Sequence, residues 1–251
     1  MHYNKLILIL IFFLTGCYQN ETMQKKDYIF GTIVEVTIYG ETEDNATHAI
    51  DLVFNEFHRL HRYLHPWEKS IVQDINQSIK NQEIYTTQDE EIFSIIKHNQ
   101  ELELKTHGYF NPAIGKLIQA WGFHADQFAT DRPNSSLIDN LQRNLPHMSE
   151  INLHNGYIGS KNKNIQLDLG GYAKGYALDQ AKKILRENNI NNALINIGGN
   201  ILALGLHGDR HWVVGIQNPR KPSPIASIIL KPGWSIGTSG DYQRYFIVDN
   251  Q

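Results

Sequence analysis

The segment Asp168-Leu169-Gly170-Gly171-Tyr172-Ala173-Lys174-Gly175 carries the densest chemistry in this chain. A carboxylate, two adjacent glycines and a lysine cross what reads as the end of a strand and the first turns of a helix. Glycines let a ligand's phosphates approach the backbone, a helix N-terminus attracts anions, and a lysine adds a point charge. The pattern is neither G-x-x-x-x-G-K-[ST] nor G-x-G-x-x-G, which excludes the two common phosphate-binding fingerprints. Taken alone, the same residues also suit an ordinary strand–turn–helix corner. A second glycine-punctuated segment, Asn111-Pro112-Ala113-Ile114-Gly115 followed by Trp121-Gly122-Phe123, reads by itself as a proline at a helix start and a buried tryptophan. Thr238-Ser239-Gly240-Asp241-Tyr242 is a hydroxyl-rich turn. His58, His61 and His65 share a helix face at i, i+3 and i+7, which invites a zinc reading. No carboxylate or cysteine completes that site, and twelve histidines in the chain make a chance alignment ordinary.

The elements that must hold these residues follow from hydrophobic period. Residues 30–40 alternate β-branched residues with others between glycines and predict a strand. Residues 47–63 carry Ile50, Val53, Phe54, Phe57 and Leu60 at helical spacing, and residues 89–105 repeat that pattern. A helical stretch over 112–121 follows, then a polar, proline-containing surface excursion over 132–149. Residues 165–169 predict a short strand into the glycine pair, 172–187 a helix, and 193–197 a strand. Five short strands are expected in the tail, at 201–204, 212–217, 225–230, 234–238 and 244–248. Helices early and strands late predict one α/β domain of mixed α+β type.

Composition is that of an ordinary globular protein, with 41% hydrophobic residues, 20% charged residues and a formal charge of −3. There is no basic cluster, zinc-finger spacing or RNP-like aromatic pair, so no nucleic-acid partner is expected. The N-terminus instead reads as an address. Lys5, the apolar run over 6–14 and the ending Leu14-Thr15-Gly16-Cys17 form a secretory signal, too short for a comfortable membrane span of roughly 20 apolar residues. The L-T-G-C ending looks like a bacterial lipobox, with cleavage before Cys17, the only cysteine, and lipid on its thiol. Two acyl chains anchor stably where one is marginal. The alternative is an uncleaved anchor with a buried cysteine. The expected organisation is a signal peptide over 1–16, a polar tether over 17–27 and a domain over 28–251.

Seven ordered segments resemble the ApbE family of FAD:protein FMN transferases. They are FGTIVEVTIYG, LHPWEKSIVQDIN, GYFNPAIGKLIQAWGF, QLDLGGYAKGYALDQ, NALINIGGNILALG, WVVGIQNP and SIGTSGDYQRYF. The family usually has Met where this chain has Phe30. The resemblance implies one domain holding FAD in a cleft, with Mg2+ at the pyrophosphate. It implies FAD cleavage, transfer of the FMN half to a Thr or Ser hydroxyl of a target redox protein, and release of AMP. Trp67 would lie against flavin or adenine, and Phe30 with the Ala113, Ile114 and Gly115 backbone would line the pocket. Asp168 would fix a polar edge of the cofactor, Lys174 would contact it, and the Gly171 carbonyl would bind the metal. The family pattern continues with a His-containing stretch and an Asp-x-x-x-Thr-like segment beyond the position of Gln251. The catalytic base and side-chain metal ligands are therefore expected beyond Gln251, and the chain is expected to be a fragment of a longer product. An FAD-binding protein, an FAD pyrophosphatase and an inactive truncated lipoprotein are the competing readings. The implied location is the periplasmic face of the inner membrane, or the outer surface of the cytoplasmic membrane, held by Cys17.

Overall fold

In the computed structural model, residues 22–124 and 133–240 are described. The first strand, β1 (Thr22–Ile29), runs antiparallel to β2 (Thr32–Tyr39) with every residue paired. Residues 22–27 therefore belong to the sheet, which corrects the tether expected over 17–27. The strand was hidden by its polarity. As an edge strand, it bonds its outward Gln24 to Glu35 and Thr37 and pairs its outward Lys26 with Glu35, while Lys25 on the inner face pairs with Asp51.

Helix α1 (Glu43–Tyr63) starts at Thr42, whose hydroxyl accepts from the Asn45 N–H, and carries acidic residues in its first turn. A Ser70-capped helix, α2 (Ile71–Lys80), was not predicted. After the short β3 (Tyr85–Thr86) comes α3 (Glu90–Lys105), then α4 (Gly115–Ala120), shorter than the expected 112–121. The expected surface excursion contains α5 (Ser135–Arg143), capped by Asn134. Two short strands, β4 (Asn152–His154) and β5 (Tyr157–Gly159), make a small sheet with β3 in the order β3-β5-β4. Residues 165–169 form no strand and contribute one bridge, Ile114 to Gln166. Helix α6 (Gly170–Glu187) follows.

The last strands are β6 (Ala193–Ile197), β7 (Asn200–Leu204), β8 (Trp212–Gln217), β9 (Pro224–Leu230) and β10 (Ser235–Gly237). The main sheet runs β1-β2-β6-β7-β10, with β8 and β9 as a separate hairpin. The strand expected at 244–248 and the residues Asp241, Tyr242 and Cys17 lie outside the described residues.

The core forms where Val34, Val36 and Ile38 of the sheet meet Ile50, Val53, Phe57 and Leu60 of α1. Ala173, Ala177 and Ala181 recur every fourth residue on α6, a small-residue stripe that lets α1 pack closely against it. Each large apolar side chain buried here contributes about 1.5 to 3 kcal/mol. The architecture is the mixed α/β type expected. Among the described residues no helix is long and apolar enough to cross a membrane.

Candidate functional site

Three segments converge on a cavity of about 350 Å³. The first is the hairpin tip between β1 and β2. Ile29 faces Thr32, so Phe30 and Gly31 form a two-residue loop, with φ of 56° and 67°. Positive φ at both positions defines a type I′ turn, which favours Asn-Gly; a bulky aromatic there is strained. The Phe30 ring lies in the cavity wall, 6.0 Å from Phe57 and 5.7 Å from His61 between ring centroids.

The second segment joins α1 to α2. His65 accepts at Nδ1 from the N–H of Trp67 (3.4 Å) and of Glu68 (2.9 Å), so its ring proton sits on Nε2. Ser70 donates to the His65 carbonyl at 2.6 Å, and the Gln73 amide donates to the Pro66 carbonyl. The loop is thereby stitched at every turn. Trp67 stands edge-on to His65 at 5.3 Å and lines the cavity. The three histidines of α1 and this loop separate: His58 bonds Asp27 at 2.7 Å, while His61 and His65 face the cavity. Among the described residues no group of three His, Cys, Asp or Glu gathers as a metal site. Burial, reinforced by neighbouring His65, pushes the His61 pKa below its ordinary value.

The third segment is the extended arm 165–169. One edge is paired to the α4 approach: Asp168 donates its N–H to the Pro112 carbonyl (2.9 Å), Gln166 to that of Ala113 (3.1 Å), and Gly115 donates to the Gln166 carbonyl (2.7 Å). The other edge is paired to a side chain. Buried Asn76 of α2 donates to the Leu167 carbonyl (3.0 Å) and accepts from the Leu167 N–H (2.6 Å), standing in for a neighbouring strand. Asp168, held between these pairings, reaches the cavity and accepts from the Gly170 N–H at 2.8 Å. Among the described residues the α6 start has no other side-chain cap; Gly170 and Gly171 are exposed, and Lys174 one turn on also lines the cavity.

Of the residues expected in the pocket, Phe30, Trp67, Asp168, Gly171 and Lys174 are brought together. Ala113, Ile114 and Gly115 are not among the described residues that line it, and their backbone is engaged elsewhere. The Ala113 carbonyl and Gly115 N–H are used in pairing the arm, and a Cβ at Gly115 would stand 2.6 Å from the Gln166 carbonyl oxygen. These residues support Asp168 from behind. The wall residues His61, His65, Ile118 and Phe123 were not singled out for it. Asn76 was missed as well, although it left a signal: it is the one polar residue among the buried positions Val72, Ile75, Asn76 and Ile79.

A model of the ApbE family matches residues 30–251. The chain belongs to the ApbE family. The FAD:protein FMN transferase of Rhodobacter capsulatus is 33% identical over 219 residues, which cover 87% of this chain and 42% of that relative. The FAD:protein FMN transferase of Buchnera aphidicola is 28% identical, covering 97% of this chain and 73% of its own length. The crystal structure of the ApbE protein from Thermotoga maritima superposes with a TM-score of 0.82 at 29% identity, covering 92% of this chain and 74% of that one. The chain thus spans less than half of the Rhodobacter relative. The ApbE-type segments around Phe30, Trp67 and Asp168 are the three that converge on the cavity.

Proposed function

We propose that this chain binds FAD in the aromatic cavity and transfers its FMN half to a Thr or Ser hydroxyl of an acceptor redox protein, releasing AMP. One observation carries the reading: the cavity joins the rings of Phe30 and Trp67 to a carboxylate and a lysine at the start of α6. Flat aromatic walls suit a flavin or adenine ring, and a helix N-terminus with a lysine suits a diphosphate. In the proposed reaction the acceptor oxygen bonds to the FMN-side phosphorus. The bond from that phosphorus to the bridging oxygen breaks, AMP leaves with the electron pair, and the hydroxyl proton passes to a base. Lys174 and the α6 backbone N–H groups bind and orient the diphosphate. Asp168, kept in place by its bond from Gly170, accepts a hydrogen bond from a polar edge of FAD.

Magnesium would enter this site as a cation shared with the substrate. Of the residues lining the cavity, Gly171 through its carbonyl and Asp168 through its carboxylate would supply the protein's oxygen donors, too few for an all-protein cage. Mg2+ commonly takes one or two carboxylates and completes its shell with phosphates and water. When bound there it would neutralise charge on the diphosphate. Anchoring by lipid on Cys17, which would hold the protein beside envelope acceptors, belongs to the same proposal.

Incubation with FAD, magnesium and a threonine-bearing acceptor protein, read by flavin fluorescence on a denaturing gel, tests transfer. A fluorescent acceptor band with AMP release is expected, and Asp168→Ala should abolish it. Release of AMP and FMN with no labelled band would overturn transfer in favour of hydrolysis. For the anchor, Cys17→Ser should lose palmitate incorporation and membrane partitioning; retention of both would exclude it.

A further inference from the structure

Trp67 borders a second cavity, of about 340 Å³, where most of the lining side chains are amides or bases. Lys80 at the end of α2 and Lys116 in the first turn of α4 both line it, with Gln77, Gln119, Gln166 and His124. Lys116 donates to the Lys163 carbonyl at 2.7 Å, which leaves two ammonium protons for another acceptor. Among the described residues neither Lys80 nor Lys116 forms an ion pair. Burial, with Lys80 and Lys163 nearby, pushes the Lys116 pKa down. The Nδ1 atom of His124 is buried with no hydrogen-bond partner among the described residues. Lys116 is half-buried and Lys80 exposed, and since no described carboxylate pairs with either, an anion entering between them would gain from both ammonium charges.

We propose that this cavity is an oxyanion subsite, taking a carboxylate or phosphate group between Lys80 and Lys116 on the far side of Trp67 from the aromatic cavity. The subsite stands without the flavin-transfer reading; only the source of its ligand rests on it. Two sources share the chemistry: an acidic side chain of the acceptor segment, and the phosphate of the leaving mononucleotide once cleavage has freed it from the α6 start.

Titration calorimetry at low salt, with inorganic phosphate, AMP and a short aspartate-bearing peptide as separate probes, tests the assignment. At least one probe should bind, with affinity that falls as salt is added. K80Q/K116Q should weaken it roughly tenfold or more, and K80R/K116R should restore it. FAD affinity should change less than about twofold in the same variants, since separate sites behave independently. The tightest probe names the source: the peptide points to the acceptor, and AMP to the nucleotide. The subsite is overturned if no probe binds, if binding survives in K80Q/K116Q, or if FAD affinity falls in step with it. A thermal midpoint for K80Q/K116Q matching the parent shows that lost binding is not lost folding.

Discussion

Phe30 reaches the aromatic cavity on the tip of a hairpin whose strands pair along their whole length, whereas Asp168 reaches it on an arm that belongs to no sheet. The hairpin is locally strained and globally secure. A left-handed Phe costs about 1 to 2 kcal/mol, and eight paired positions on each strand offset it. The arm is unstrained but depends on a few bonds, two of them from the single side chain of Asn76. One wall of the site is thus positioned by secondary structure, the other by a buried amide and a close backbone approach. The second kind is far more exposed to single substitutions.

The sharpest way to break this contrast is Asn76→Ala. It leaves the buried N–H and carbonyl of Leu167 without partners and should cost roughly 2 to 4 kcal/mol in urea denaturation, with loss of FAD binding. A loss below about 1 kcal/mol would mean the arm has other support. Next comes Gly115→Ala, where the new Cβ meets the Gln166 carbonyl at 2.6 Å between backbones that cannot both yield. Roughly 1 to 3 kcal/mol of destabilisation is expected, again with weaker FAD binding. An unchanged melting curve would show that the arm can shift freely.

The hairpin should answer differently. Phe30→Asn relieves the left-handed strain and restores the preferred Asn-Gly loop, while losing the ring contact with Phe57, worth about 0.5 to 1.5 kcal/mol. Stability should stay within about 1 kcal/mol of the parent while FAD affinity drops, a separation that the arm variants cannot show. Stability and affinity falling together would place the two walls in one class.

The smallest effect concerns His61, whose folded pKa lies below 6.5 because of burial. As pH falls through that value the unfolded chain takes up the proton first, so stability declines until the folded value is passed and then levels off. Thermal midpoints from about pH 7.5 to about pH 5 should fall more for the parent than for His61→Phe. Parallel curves would remove His61 from the linkage.

How far the sequence could be read tracks how far each feature is local. Helical period marked α1, α3 and α6 because each buries one face along many turns, and alternation marked β2 because its pleat does the same. β1 escaped because Lys25 and Asp27 stand between Met23 and Ile29 on its inner face, so no apolar alternation is displayed. α2 escaped although Val72, Ile75 and Ile79 carry its period; Asn76 interrupts their stripe for a partner 91 positions away. Phe30, Trp67, Asp168, Gly171 and Lys174 were visible as chemistry, and Ala113 to Gly115 as part of the same constellation.

From residue order alone came the family, the principal helices and strands, and the side chains fit to hold a flat ring beside a diphosphate, since type and period are written along the chain. Which of them share a wall emerged only on folding. Asn76 became a strand's substitute, Gly115 a point of backbone contact, and Trp67 the partition between an aromatic and a basic cavity. Those assignments depend on groups far apart in sequence meeting within hydrogen-bond distance, and no period along the chain encodes such a meeting.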